Sequence, residues 1–180
     1  MTEKSAMNIR QLDAADADAY QRLRLRALHE SPAAFSASYE DEVDRSIDEV
    51  ARRIRPAEDG SVRMLGVFEA DRLVGFVAVV HPQRRKLRHG AALAGMYIVP
   101  ESRRLGFGRA LLEAAIECVR AIGGVRQIKL GVNAANVAAK ALYRRAGFEI
   151  YGLEPDVLRI GGEFYDETLY VLRLGCLLKG

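Results

Sequence analysis

Gly95-Met96-Tyr97-Ile98-Val99-Pro100-Glu101-Ser102-Arg103-Arg104-Leu105-Gly106-Phe107-Gly108-Arg109 decides how this chain is read. A short apolar run stops at a proline. An arginine-flanked glycine turn follows, and an amphipathic helix begins directly after it. Glycines let a backbone approach a ligand closely, and the first N–H groups of a helix point at whatever sits there. Strand, turn and helix in this order make a cradle suited to a diphosphate. Two common phosphate loops do not fit. A dinucleotide fingerprint wants glycine or alanine three residues after Gly108, where this chain has Leu111. A nucleoside-triphosphate loop wants Gly-Lys-Ser/Thr, which is absent.

Outward from this stretch, the following helix is predicted over 106–121. Leu111, Ala114, Ala115, Cys118, Val119 and Ile122 form its apolar stripe, Glu113, Glu117 and Arg120 face away, and Gly123-Gly124 ends it. Before the turn, Val62 to Ala70 and Leu73 to Val80 read as an antiparallel hairpin around Asp71-Arg72. A third strand covers about Ala91 to Val99. Met7 to Leu12 reads as a strand, with Asp13 and Asp16 offering caps for a helix that stops near Glu30, before Pro32. A second helix is expected over Asp41 to Ile54, with Val43, Ile47, Val50 and Ile54 on one face. Downstream come a strand Val125 to Val132, a helix Val137 to Ala146 capped by Asn136 and closed by Gly147, and strands Phe148 to Leu153 and Phe164 to Leu172. The order predicts an α/β fold: a mixed, twisted sheet of about seven strands with helices on both faces.

The 180 residues fit a single domain spanning 1–180, with 1–6 a flexible tail. Apolar residues are 49% of the chain, enough for a sizeable core. A net charge of +3 does not call for nucleic acid. The run Arg84, Arg85, Lys86 and Arg88 reads as a solvated hairpin loop. Cys118 and Cys176 offer neither a metal spacing nor a disulfide framework, and Cys118 reads as a buried free thiol. No signal peptide and no membrane span is legible, so a reducing cytoplasm is the expected setting.

A second motif sharpens the first: Asn136-x-x-Ala139-x-x-Leu142-Tyr143-x-x-x-Gly147-Phe148. Asn136 and Tyr143 are two helical turns apart, so they share a face ~10 Å apart along the axis. They line one groove, or else Asn136 caps and Tyr143 packs. Arg103-x-x-Gly106-x-Gly108 followed by this motif resembles the GNAT superfamily of N-acetyltransferases, most strongly from Leu93 to Gly152.

The resemblance implies the GNAT fold and transfer of the acetyl group of acetyl-CoA to a primary amine. That amine belongs to a small molecule or to a protein, and no metal is involved. It implies that acetyl-CoA lies where the strand ending at Val99 and the strand ending near Val132 splay apart. Backbone groups of Met96, Tyr97 and Ile98 would pair with the pantetheine arm as an added strand. Arg103, Arg104, Leu105, Gly106, Phe107, Gly108 and Arg109 would hold the pyrophosphate, and Asn136 would touch the cofactor arm. Direct attack passes through a tetrahedral intermediate. The Met96 backbone N–H would donate to its oxyanion, and Tyr143, a general acid, would protonate the departing thiolate.

Many relatives place a glutamate on the third or fourth of these strands, some of them five residues before the asparagine; this chain has Gly131 there, and neither Ala91–Val99 nor Val125–Val132 holds a carboxylate. Ordered water is therefore the expected route for the proton, with His89 second. The acceptor is expected over Glu30–Tyr39 and Glu154–Asp166. Phe35 and Tyr39 wall the pocket or pack the first helices, while Glu40, Glu154, Glu163 and Asp166 attract a cation. A non-catalytic acyl-CoA-sensing module is the alternative. The chain is a monomer, or a homodimer formed through edge strands or Leu172 to Leu178.

Overall fold

The computed structural model describes residues 6–175. Cys176, the tail before Ala6 and the end of the Leu172–Leu178 segment lie outside the described residues. One seven-stranded sheet runs β1-β2-β3-β4-β5-β7-β6. Its strands are β1 Met7–Gln11, β2 Val62–Glu69, β3 Arg72–Val80, β4 Gly90–Ile98, β5 Gln127–Asn133, β6 Glu149–Ile160 and β7 Glu163–Arg173. The helices are α1 Ala17–Glu30, α2 Ile47–Ile54, α3 Phe107–Arg120 and α4 Val137–Arg145. Neighbouring strands are antiparallel except β4 and β5, which run parallel.

The two faces of the sheet carry different helices. Phe76 of β3 meets Tyr20 of α1, their rings 5.1 Å apart, so this face belongs to α1 and α2. The opposite face receives α3, whose Leu111, Leu112, Ala115 and Val119 are almost fully buried. The expected stripe is buried at Leu111, Ala115 and Val119, whereas Leu112 and Ile116 extend the buried face beyond it and Ile122 is only partly buried. Truncating Leu111 or Leu112 to alanine would cost about 2–5 kcal/mol through lost transfer energy and the cavity left behind. Ala114 and Cys118 sit at the edge of the stripe, so Cys118 is only partly buried, with an Arg63 nitrogen 3.8 Å from its sulfur.

The second helix is shorter than its periodicity suggests. Ser46 and Glu49 form a capping box that starts α2 at Ile47, and residues 39–44 are a turn. The physical reason is Glu42. Its carboxylate is buried and bonds the Arg24 guanidinium through both oxygens at 3.1 Å, with Arg53 adding a bond at 3.2 Å. Gln21 donates to the Glu42 backbone carbonyl at 2.7 Å. Burial works to raise the Glu42 carboxyl, but the hydrogen bonds and charges of Arg24 and Arg53 outweigh it and hold it below the ordinary carboxylate range. This inward pull ties the turn to α1, while Val43 and Ile47 remain exposed.

The last two strands are also longer than expected. β6 and β7 form an extended hairpin that turns at Gly161-Gly162, so the expected acceptor segment Glu154–Asp166 is mostly strand. Asp166 accepts from the Asp156 backbone N–H at 3.0 Å, where Asp156 adopts a φ of 54° beside a register shift. Among the described residues, no helix is long and apolar enough to cross a membrane.

Candidate active site

β4 and β5 part company along their length. Their pairing covers only Gly90↔Gln127, Ala91↔Ile128 and Ala92↔Lys129. Beyond it β4 carries a bulge, where its register against β3 passes from Ala78↔Ala94 to Phe76↔Tyr97. Gly95 supplies the extra residue at a φ of 62°, a conformation that other L-residues adopt only with strain. The bulge turns the strand away from β5 and leaves the β5-facing backbone edge of Leu93 to Ile98 without a strand partner. A cleft opens there. Gly95, Met96, Gly131, Asn136, Tyr143 and Glu167 are among its walls.

The glycine turn lies at one end of the opening. Arg104 has a φ of 62° and Gly106 a φ of 94°, so consecutive N–H groups curl toward one side before α3 begins. Gly106 is the N-cap of α3 and provides no side-chain cap. Among the described residues, the N–H groups of Gly106 to Arg109 meet no backbone or side-chain acceptor. By contrast, Ser46 caps α2 and Asn136 caps α4. A Cβ at Gly106 would meet nothing within 4 Å, so the space in front of this helix end is open. Uncapped donors, the positive end of a 14-residue helix and open space together suit an anion such as a pyrophosphate.

The arginines of the turn divide in their tasks. Arg103 donates from Nε to the Ile98 carbonyl at 2.9 Å and lies over the Tyr97 ring, so it anchors the end of β4. Arg109 bonds Glu113 one helical turn on. Leu105 is exposed, and the side chain of Arg104 makes no hydrogen bond among the described residues.

α4 carries the second pair. Asn136 Oδ1 accepts from the Ala139 backbone N–H at 3.1 Å and caps the helix. Tyr143, two turns on, is buried and packs against Phe148 and Tyr170. Its hydroxyl lies 3.8 Å from Met96 Sδ, which brings α4 against the bulged part of β4. Both residues line the cleft, so capping and packing coexist with a place in the groove. Burial pushes the Tyr143 phenol up to about 12, which keeps its proton in place at neutral pH.

Other expected site residues divide between the cleft and the rest of the molecule. Tyr97 turns its ring to the α1 face and donates to Glu30 at 2.6 Å, leaving only its backbone beside the cleft. Phe35 is buried under the Arg24 guanidinium and against Phe76, so it packs rather than walls the opening; Ala34 stands at the wall instead. Tyr39 meets His29 edge-on at the surface. His89 precedes β4, at the end where the strands are paired, and lies in a separate hollow with Arg126 and Arg173. It is therefore remote from the open end and cannot serve as a base there. Glu40, Glu154 and Glu163 are exposed. Among the described residues, no group of three or more His, Cys, Asp or Glu side chains is arranged to hold a metal.

One cleft residue escaped the sequence reading. Glu167 of β7 stands opposite Asn133 of β5, and its carboxylate reaches over Gly131. The signal was indirect: a glycine on β5 where a carboxylate was expected, with an acidic residue on a strand whose partner was not yet known.

Comparison with known proteins agrees with this geometry. A family model described as an acetyltransferase (GNAT) domain matches residues 9–169. The chain belongs to the GNAT acetyltransferase family. A relative in Salinispora tropica, a mycothiol acetyltransferase, is 33% identical over 138 residues, which are 74% of this chain and 41% of that protein. The chain thus spans less than half the length of that relative. A GNAT-family acetyltransferase structure from Streptococcus pneumoniae is 26% identical, with a TM-score of 0.80 over 94% of this chain and 100% of that one. The structure of yncA from Salmonella typhimurium, solved with its cofactor acetyl-CoA, shares the fold. Its TM-score is 0.79 at 23% identity, covering 94% of this chain and 95% of that one.

Proposed function

We propose that the chain transfers the acetyl group of acetyl-CoA to a primary amine, on a small molecule or a protein. The observation that carries this reading is that the uncapped start of α3, where Gly108 faces Met96, Ile98 and Leu142, and the buried Tyr143, against Met96, both flank the stretch of β4 that is not paired with β5. Acetyl-CoA is a substrate here, the acyl donor. Its pyrophosphate fits the free N–H groups of Gly106 to Arg109, with Arg104 and Leu105 alongside. The anchoring of Ile98 by Arg103 holds the cradle in register with β4. The unpaired edge of Met96, Tyr97 and Ile98 suits the amide groups of a pantetheine arm, which would add to the sheet as an extra strand. Asn136 retains an amide N–H₂ for the same arm.

The chemistry follows from what each group can give. A neutral amine adds to the thioester carbonyl, whose oxygen becomes an oxyanion. The Met96 backbone N–H donates to it, worth about 10²–10³ in rate for a donor of this kind. When the C–S bond breaks, the sulfur takes the Tyr143 proton, and solvent restores the phenol. The two lone cysteines and the partly buried Cys118 thiol support a reducing, cytoplasmic setting.

The deciding experiment is a screen of small amines and peptide N-termini that follows free thiol released from acetyl-CoA. Amine-dependent release supports the reading. No release across the panel, with no calorimetric heat on adding acetyl-CoA, would overturn it.

A further inference from the structure

Gly131 and Glu167 occupy one place between them. A Cβ built on Gly131 would collide with Glu167 Oε2 and come within 3.2 Å of its Cδ. The carboxylate of Glu167 therefore lies against β5 where that strand has no side chain, on the wall of the cleft. Its face of the sheet is fixed by register. Val132↔Thr168 and Leu130↔Tyr170 face α4, because Tyr170 packs on Tyr143. Gly131, Asn133 and Glu167 alternate with them and face the other way, toward Ala34 and the α1 side. The cleft thus has an acid on one face and a carboxylate on the opposite one.

We propose that Glu167 is the general base of this enzyme, delivered from β7 into the space that Gly131 leaves open on β5. The proposal rests on the acetyl-transfer reading. An alkyl ammonium entering from the α1 side gives one proton to a Glu167 oxygen. Its lone pair forms the C–N bond at the thioester carbon. Glu167 passes the first proton to water and then takes the second N–H proton by the same route as the C–S bond breaks; Tyr143 protonates the thiolate and is itself reprotonated by water. One acetamide, one thiol and one net proton result.

The surroundings suit this role. Burial, and then the charge of Glu154, raise the Glu167 carboxyl above its ordinary value, which makes it a stronger base. Glu154 lies opposite it on β6. β5 offers only Gly131 and Asn133 beside it. The nearest β5 cation on this face is Lys129, held over the Tyr151 ring. The wall at Ala34 is uncharged. Two carboxylates without an adjacent cation favour a cationic amine.

The test follows thiol release from acetyl-CoA with two amines. Ethylamine arrives charged at neutral pH. Hydroxylamine, a weaker base, arrives neutral. Glu167→Gln is expected to lower kcat/KM for ethylamine about a hundredfold, but for hydroxylamine by less than about tenfold. Calorimetric CoA affinity should change by less than about twofold. The double variant Gly131→Glu/Glu167→Ala returns a carboxylate to the cleft from β5, at a residue whose φ is not in the left-handed region. It is expected to recover ethylamine turnover at least about tenfold over Glu167→Ala alone. Equal losses with both amines, full ethylamine turnover in Glu167→Gln, or no recovery in the double variant would overturn the assignment. A wild-type protein that releases no thiol with these two amines or with any member of the wider amine and peptide panel, and gives no heat with acetyl-CoA, would sink the acetyl-transfer reading, and the base with it.

Discussion

Tyr143 Oη lies 3.8 Å from Met96 Sδ, so the phenol of α4 rests on the bulged segment of β4. In the proposed mechanism the same segment would supply the backbone N–H for the oxyanion, placing two halves of the reaction at one spot. Tyr143→Phe removes the proton and keeps the ring contacts with Phe148 and Tyr170. Turnover is expected to fall about a hundredfold or more, as for loss of a general acid. CoA affinity should hold. Steady-state thiol release paired with calorimetry checks both, and a fully active variant removes Tyr143 from the mechanism.

Gly106→Val tests the helix end. A φ of 94° is strained for any L side chain and worse for a β-branched one. The added atoms meet no protein, so folding should suffer by only about 1–2 kcal/mol. They do stand in the open space before α3. CoA binding is expected to weaken at least about tenfold. Unchanged affinity by calorimetry would count against the cradle.

Arg103→Ala should act differently. It deletes the bond to the Ile98 carbonyl and the contact over Tyr97. A stability loss of about 1–2 kcal/mol is expected in urea, with a smaller effect on CoA affinity than Gly106→Val.

Glu42→Ala leaves the Arg24 guanidinium buried without its partner. The expected loss is about 3–5 kcal/mol, read as a lower urea midpoint. The pH dependence has a definite sign. The folded Glu42 carboxyl is held below its unfolded value, so its contribution is full above the unfolded value. That contribution fades as pH falls through the lower folded value. Glu42→Gln should therefore flatten the acid limb of stability, and an unchanged limb would show that other carboxylates govern it.

Much of this was written locally. The α3 stripe, the β2–β3 hairpin and the Asn136–Tyr143 spacing depend on neighbours within a few residues, and the structure keeps all three. Glu42 and Glu167 were not legible because each is defined by a distant partner. Helical spacing from Val43 to Ile54 concealed a turn, since nothing nearby announces that Arg24 will draw Glu42 inward. The Ser46-x-x-Glu49 capping box was the available hint. Glu167 needed the β5–β7 register, because a shift of one residue would send Asp166 to its side of the sheet instead. His89 fell on the wrong end for a related reason: only the parallel pairing reveals which end of β4 opens.

Among the described residues, the ladder between β1–β4 and β5–β7 is three residue pairs of β4 and β5, extended by the Arg126 N–H bond to the His89 carbonyl. A donor lodged between the strands would act as a rung across them. The empty enzyme should breathe along this line, with fast amide hydrogen exchange at 93–98 and 130–133, and acetyl-CoA should slow that exchange on both sides at once.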